Sequence, residues 1–521
     1  MALHRLRMQL SQAMQDRIGG QAGAVAAALM TGDRSGIAEA TNEVMRISSL
    51  YHIISISGLH MTMLAAFVYG TLRFFGVCVV AVMAHLRGGP MAPPLHKIAA
   101  GGAILASAGY LWLSGGGVAT ERAFIMVAVM LFAILVDMRA ISLRTVAIAA
   151  VIVLVLGPEA LTTPGFQMSF AATVVLVLMS HPWRAVSAHL PRWSHAILLL
   201  FLTSVFAGLA TGPLAAAQFG RIAPYGLLAN ALVVPVMGAF VMNMGVIALF
   251  LAPFGLEGIS LWVMGLGTTW MLWVAEWIAG WNGADLLVPL PPGPVLPLIG
   301  TGLMLTTLTA RRMWRWRGCR LPAPVFSVGI LMLAAGFMIW IGARRPDVLI
   351  SAQGDAVGIM TPAGRAMSKE SGGAFHAENW LADDGDAASQ ARSAARPGPD
   401  PLWQGPRNRR SAMVDAGGQA LRFVHATGKS APDAATAACG PATVVIVDDR
   451  AGQSGDAACL LLDLSILQQS GAIAIWFDRG RPVVATTAQR GGSRDWSPGQ
   501  PGAGRALAAG MMAALTASSG N

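Results

Sequence analysis

The stretch "YHIISISGLHMTMLAAFVYG", residues 51–70, runs from a polar head into a greasy tail. Its first ten residues hold His52, Ser55, Ser57, Gly58 and His60, and the rest is almost wholly apolar. Polar groups carried into hydrocarbon cost free energy unless a partner or water satisfies them. The stretch therefore reads as the head of a membrane span whose polar side chains are in use. The rest of the chain supports that setting. Of 521 residues, 55% are hydrophobic and only 12% charged, with a mean hydropathy of +0.58. A soluble domain carries roughly 25% charged residues.

Outward from this stretch, apolar runs follow one another to about residue 343. Ten spans are expected, over 52–83, 98–113, 121–137, 145–157, 166–180, 195–217, 225–250, 258–281, 294–310 and 323–342. Several are short for a bilayer that needs roughly 20 residues, so broken or re-entrant helices are expected among them. Loop charge sets the orientation. One alternate set of loops holds eleven Arg or Lys residues, five of them in the cluster from Arg311 to Arg320, and the other holds only Arg221. The rich set is cytoplasmic by the positive-inside rule. The tail after residue 344 then lies outside, as do residues 1–51. The latter carry five arginines and no preceding span, and read as an amphipathic segment on the membrane surface or the remainder of a longer N-terminal portion. The formal net charge of +10 is largely topological in such a chain.

Cys78 and Cys319 read as free thiols. Cys439 and Cys459 share the tail, and pair as a disulfide if the tail is extracytoplasmic. No cysteine spacing suits zinc and no Walker motif appears. The Trp series at 270, 273, 277 and 281 reads as packing and interfacial anchoring.

Four polar clusters interrupt the apolar region. The first is the opening one. The second is "GGGVATERAFIMV", residues 115–127, with Thr120, Glu121 and Arg122. The third is "GPEALTTPGFQMSFAA", residues 157–172, with Gln167 and Ser169. The fourth is "TGPLAAAQFGRIAPYGLLANALVVPV", residues 211–236, with Asn230 and Pro235. Small residues with Ser or Thr are ordinary glue between membrane helices, which accounts for any one cluster alone. Four in one chain point to broken helices lining a hydrated passage through the bundle.

These four stretches resemble the motifs of the ComEC competence family, in the same order. "HIISISGLHMTMLAA" is similar to its His-x-x-small-ISGLH segment and "ATERAFIM" to its small-x-x-Arg-Ala segment. "GPEALTTPGFQMSFAA" resembles its GFQLSF segment, with Gly157 where Asp is usual, and "FGRIAPYGLLANALVVPV" matches at Asn230 and Pro235. The resemblance implies an inner-membrane channel that passes one strand of transforming DNA inward. His52, Ser55, Ser57, Gly58, His60, Thr120, Arg122, Gln167, Ser169, Asn230 and Pro235 would be its DNA path or structural motif residues, and the Arg311–Arg320 cluster with Trp314 and Trp316 would receive the strand. Implied partners are single-stranded DNA, membrane lipid, a periplasmic DNA receptor, a cytoplasmic motor or single-strand-binding proteins, and a second copy of the chain. No cofactor is implied.

Many family members end in a metallo-β-lactamase-like domain. "PDVLISAQGDAVGIMTPAG" resembles its opening strand, turn and strand, but the clustered His and Asp ligands of a binuclear zinc site do not follow. After residue 344 only His376 and His425 remain. The expected fold is thus an all-α polytopic membrane domain over 52–343 followed by a smaller α/β domain over 344–490. That second domain is expected to be degenerate and non-catalytic, with β segments near "TVVIVDD" and "AIAIWFD", a low-complexity insert near 385–412, and a disordered tail over 491–521. Two other functions stay open: a small-solute transporter, which broken helices suit equally well, and an intramembrane serine protease with Ser57 as nucleophile and His60 as base.

Overall fold

The computed structural model of the protein describes residues 2–87, 93–315, 322–398, 400–428, 431–451, 459–492 and 503–516. Two compact units emerge: Met1–Leu286 with Gly293–Met338, and Leu287–Pro292 with Ile339–Asn521.

The first unit is helical. Helices α1 (Ala2–Ile18), α2 (Gly20–Thr31), α3 (Glu39–Ile47) and the short α4 (Tyr51–Ile54) precede the membrane series. That series comprises α5 (Gly58–Arg87), α6 (Leu95–Leu113), α7 (Val118–Leu135), α8 (Leu143–Leu156), α9 (Pro164–Ser187), α10 (Ser194–Phe219), α11 (Gly226–Val236) continued as α12 (Met242–Leu251), α13 (Gly258–Ala279), α14 (Val295–Arg315) and α15 (Pro322–Ile341). Six of these stretches are long and apolar enough to cross a membrane, and three further apolar helices are shorter. This is a multi-pass membrane protein. Each of the ten expected spans coincides with a helix or, for α11–α12, a bent pair. Pro235 near the end of α11 withholds an amide hydrogen, and the next turn, Met237–Val241, widens to a π-helix. The first span differs from expectation. It begins at Gly58 rather than at residue 52, because the chain breaks between α4 and α5.

The amphipathic segment expected over residues 1–51 folds as a helical hairpin, α1 against α2, followed by α3. Residues Ala24 to Leu29 of α2 are 0–2% exposed, at the centre of a core shared with Met45, Ile53, Val233, Val241, Met264 and Val274. A helix of Ala and Gly admits neighbours closely, which is what central packing needs. Gly32 ends α2 at φ +73, and a Cβ there would stand 2.3 Å from the Ser114 carbonyl oxygen, so only glycine fits.

Two two-residue strands, β1 (Arg221–Ile222) and β2 (Leu286–Leu287), follow α10 and α13. The second unit is built on two sheets. Strands β3 (Val348–Ile350), β4 (Val357–Thr361), β5 (Gly364–Met367), β10 (Ile473–Asp478) and β11 (Arg481–Thr486) form an antiparallel sheet in the order β11-β10-β3-β4-β5. Strands β6 (Arg409–Asp415), β7 (Ala420–Ala426), β8 (Thr443–Val447) and β9 (Leu460–Leu462) form the other, antiparallel at β6–β7 and parallel thereafter. Val348, Ile359, Phe423, Val444, Ile446 and Ile475 from both sheets share one core. "TVVIVDD" and "AIAIWFD" are β8 and β10. The "AQGDA" segment is the turn between β3 and β4, with Gly354 at φ +67.

The low-complexity stretch 385–412 holds helix α17 (Gln390–Ala394) and a Trp403 that is 1% exposed and donates to the Ala366 carbonyl at 3.0 Å. One expectation for this unit is corrected: the tail 491–521 is not wholly disordered, since Ala503–Thr516 is a helix that buries Leu507 and Met511 in the sheet core. Cys439 and Cys459 are joined in a disulfide.

His425 gives this unit a pH signature. It is 1% exposed; its Nε2–H donates to the Gly354 carbonyl at 2.8 Å, and its Nδ1 accepts from the Ser368 hydroxyl at 2.7 Å. Burial pushes the ring down to about 4. A histidine depressed on folding supports the fold at neutral pH and loses that support as pH falls from about 6.5 towards 4. The loss reaches about 3 kcal/mol at 1.36 kcal/mol per pKa unit. Protection factors of the β7 and β8 amides in the full-length protein are expected to fall accordingly on acidification, and a His425→Gln variant to show a flatter profile.

Candidate functional site

The four polar stretches meet at one rim of the helical unit. Arg122, near the start of α7, lies over Gly165 at the start of α9: a Cβ at Gly165 would stand 2.4 Å from an Arg122 terminal nitrogen. Gln167 donates to the Leu161 carbonyl at 3.1 Å and accepts from Gln218, at the end of α10, at 2.7 Å. Gly226, which opens α11, packs on Ser49: a Cβ there would stand 2.7 Å from the serine Cβ. Arg221 pairs with Glu43 of α3 at 2.7 Å and with Asp285 at 3.3 Å. The four arginine-poor loops are tied together by these contacts. Lys97 and Asp137, from the arginine-rich set, pair with each other at 2.6 Å.

Burial opposes ionisation of Glu43, but hydrogen bonds from Arg221 and Arg46 outweigh it and hold the carboxyl below its ordinary range. Burial, aided by nearby Glu43, pushes Asp285 upward against the pull of Arg221.

The opening stretch forms the deepest part. His52 donates from Nδ1 to the Ser49 carbonyl at 2.9 Å, and Ser55 donates to the His52 carbonyl at 3.1 Å. The chain then breaks and α5 starts. Met63 of α5 packs on Gly238, in the π-helical turn that follows α11. Ser57 precedes the first turn, and its backbone N–H donates to His60 Nδ1 at 3.1 Å. An N–H can only donate, so Nδ1 carries the lone pair and the ring proton sits on Nε2. His60 is 0% exposed, and Nε2 has no partner among the described residues. It is a buried donor held ready. The Ser57 hydroxyl lies 3.0 Å from the same Nδ1. That lone pair already serves the Ser57 amide, so the arrangement caps a helix and does not free a base for nucleophilic chemistry.

The remaining sequence candidates divide. Thr120 is buried and Ser169 half-buried; the Ser169 carbonyl accepts from Thr173. Asn230 is half-buried with its Oδ1 unpartnered, and Arg122 likewise has an unpartnered buried Nε. Pro235 is exposed and acts on the helix backbone. Gly58 has open space around its missing side chain, so no close approach requires it. The cluster Arg311–Arg320 with Trp314 and Trp316 lies outside the described side chains. Gln218, Glu43 and Asp285 were not anticipated, although Gln218 stands beside Asn230 as one of two amides within the fourth quoted stretch.

Helices α5, α7 and α12 meet through Leu64, Ala65, Val127, Leu131, Met242 and Val246, an apolar core. Ala100, Ala103 and buried Ser107 of α6 are small packing residues.

A competence protein family model matches residues 29–313, a segment that contains all four polar stretches. The chain belongs to the competence protein family. ComE operon protein 3 of Bacillus subtilis (strain 168) is 26% identical to this competence-family chain over 208 residues, 40% of this chain and 24% of that protein. The match thus spans about a quarter of the relative's length. No solved structure matches the chain.

Proposed function

We propose that this competence-family protein takes up single-stranded transforming DNA across the bacterial inner membrane, and that the rim cluster receives the phosphate backbone. The observation that carries this reading is the set of contacts that joins the polar stretches, Arg122 over Gly165, Gln167 with Gln218 and Gly226 on Ser49, with Arg122, Gln167 and Asn230 in the first two turns of α7, α9 and α11. Helix N-termini present unsatisfied N–H groups and positive partial charge, which favour anions. His60 Nε2–H and Arg122 add buried donors without protein partners. The rim is the extracytoplasmic one by the loop-charge asymmetry, and a periplasmic receptor would hand the strand to it. The second unit, extracytoplasmic by the same alternation, is read as a degenerate metallo-β-lactamase-like domain without catalysis. Its two sheets around one core and its paired Cys439 and Cys459 suit that reading. Transport would then draw on a separate cytoplasmic motor.

Purified full-length protein in detergent or nanodiscs is expected to bind a 20-nucleotide single strand with log Kd rising linearly against log salt. A slope near 0.7 for each phosphate neutralised applies to single strands. A slope of zero, or no binding at 50 mM salt, would remove the polyanion from this site and favour a small solute.

A further inference from the structure

We propose that the outward face of α1 is the wall of a water-filled groove that carries the strand from the rim cluster towards the opposite side of the membrane. The core between α5, α7 and α12 is apolar, and α1 offers a hydrated route beside it. At its N-terminal end Arg7 lies over Gly115, in an arginine-poor turn. At its C-terminal end Arg17 pairs with Glu257 at 3.0 Å, in a turn of the opposite set. The helix from Arg7 to Arg17 covers about 15 Å of the depth between them at 1.5 Å per residue.

One face of α1 is buried against α2 and α13 through Ser11, 0% exposed, and Met14, 8% exposed. The opposite face exposes Arg5, Gln9, Gln12 and Asp16, at a spacing of four, three and four residues that forms a single stripe. None of the four makes a side-chain hydrogen bond or ion pair among the described residues. A charged side chain facing lipid at membrane depth costs at least about 2.5 kcal/mol on insertion scales. A stripe of two charges and two amides at that depth belongs against water or a polar partner. With His4, Arg5, Arg7 and Arg17 against Asp16, the helix is basic, which suits a polyanion with its water. The strand assignment rests on the uptake reading above; the wetness of the face does not.

The test is thiol accessibility in the full-length protein in lipid vesicles. In a Cys78→Ser, Cys319→Ser background, Gln9→Cys and Gln12→Cys are compared with Val79→Cys, which replaces an exposed apolar residue of α5. A charged, membrane-impermeant methanethiosulfonate should modify both α1 positions at least tenfold faster than position 79. A 20-nucleotide single strand should slow that modification threefold or more. Rates equal to that of Val79→Cys would place the face in lipid and overturn the groove. Fast modification without protection by the oligonucleotide would overturn the strand assignment. Efficient joining of two copies through Gln12→Cys by a short bifunctional thiol reagent, unaffected by DNA, would make the face a subunit contact and overturn both. If the α1 positions fail while the salt-dependent binding above holds, only the α1 wall falls.

Discussion

Arg122→Ala is expected to lower transformation about 100-fold while leaving the protein in the membrane at normal abundance. The guanidinium sits over Gly165, among the described residues it has no acidic partner, and its Nε is buried without an acceptor. A structural arginine at this depth would be paired, because an uncompensated charge away from water is costly. An arginine held open for an anion is the simpler account. Its removal loses a charge-assisted bond to phosphate worth about 1.5–3 kcal/mol, and tenfold per 1.4 kcal/mol gives the stated loss at the upper end. Gly165→Val should reproduce the defect without changing Arg122, because any Cβ there displaces the guanidinium. Arg122→Lys should restore only part, since an ammonium keeps the charge but lacks the planar fork. Counting transformants beside an immunoblot of membrane fractions checks all three. Full transformation by Arg122→Ala would remove this residue from the site.

The largest stability effect is expected in the second unit, at Arg365. This side chain is fully buried and grips Asp384 through Nε at 2.5 Å and Nη2 at 3.2 Å. It also donates to the carbonyls of Gly358 and Pro346, each at 3.2 Å. Gly358 is required beneath it, since a Cβ there would come within 2.7 Å of the Arg365 Cδ. Arg365→Ala leaves two carbonyls without this donor and Asp384 with Arg345 alone, at 3.3 Å. Breaking one side of a buried pair costs about 3–5 kcal/mol, a large share of the 5–15 kcal/mol that holds a typical domain together. Limited proteolysis of the full-length variant should cut rapidly within 344–490 and spare the helical unit. The double change Arg365→Met with Asp384→Leu should regain much of the resistance, because a filled apolar site carries no unpaired charge. Unchanged resistance in Arg365→Ala would show that the network adds nothing to the fold.

Much of the fold was legible because hydropathy and loop charge act over long windows. Ten apolar runs became ten helical stretches, six of them long and apolar enough to cross a membrane, and the arginine count sorted the loops as the rim contacts sort them. The α1–α2 hairpin was not legible: α2 is a twelve-residue helix rich in Ala and Gly behind a polar α1, too short for a span. Only tertiary packing makes it central. Trp403 and Met511 show the same limit in the second unit, where one or two anchors order a stretch whose average composition looks structureless. The site was half legible. His60, Arg122, Gln167 and Asn230 stand out as polar groups in greasy helices. Their partners do not, because the Arg122–Gly165 and Gln167–Gln218 contacts join residues 43 and 51 positions apart. Nor did the sequence reveal that the polar groups stop at one rim, since burial below it depends on which small residues face each other.

The most direct measurement follows end-labelled DNA in cells that carry wild type or Arg122→Ala, scoring label that reaches the cytoplasm against label held at the surface. Surface label at the wild-type level with cytoplasmic label reduced about 100-fold is predicted. Equal cytoplasmic label in the two strains would contradict a rim cluster that hands the strand inward.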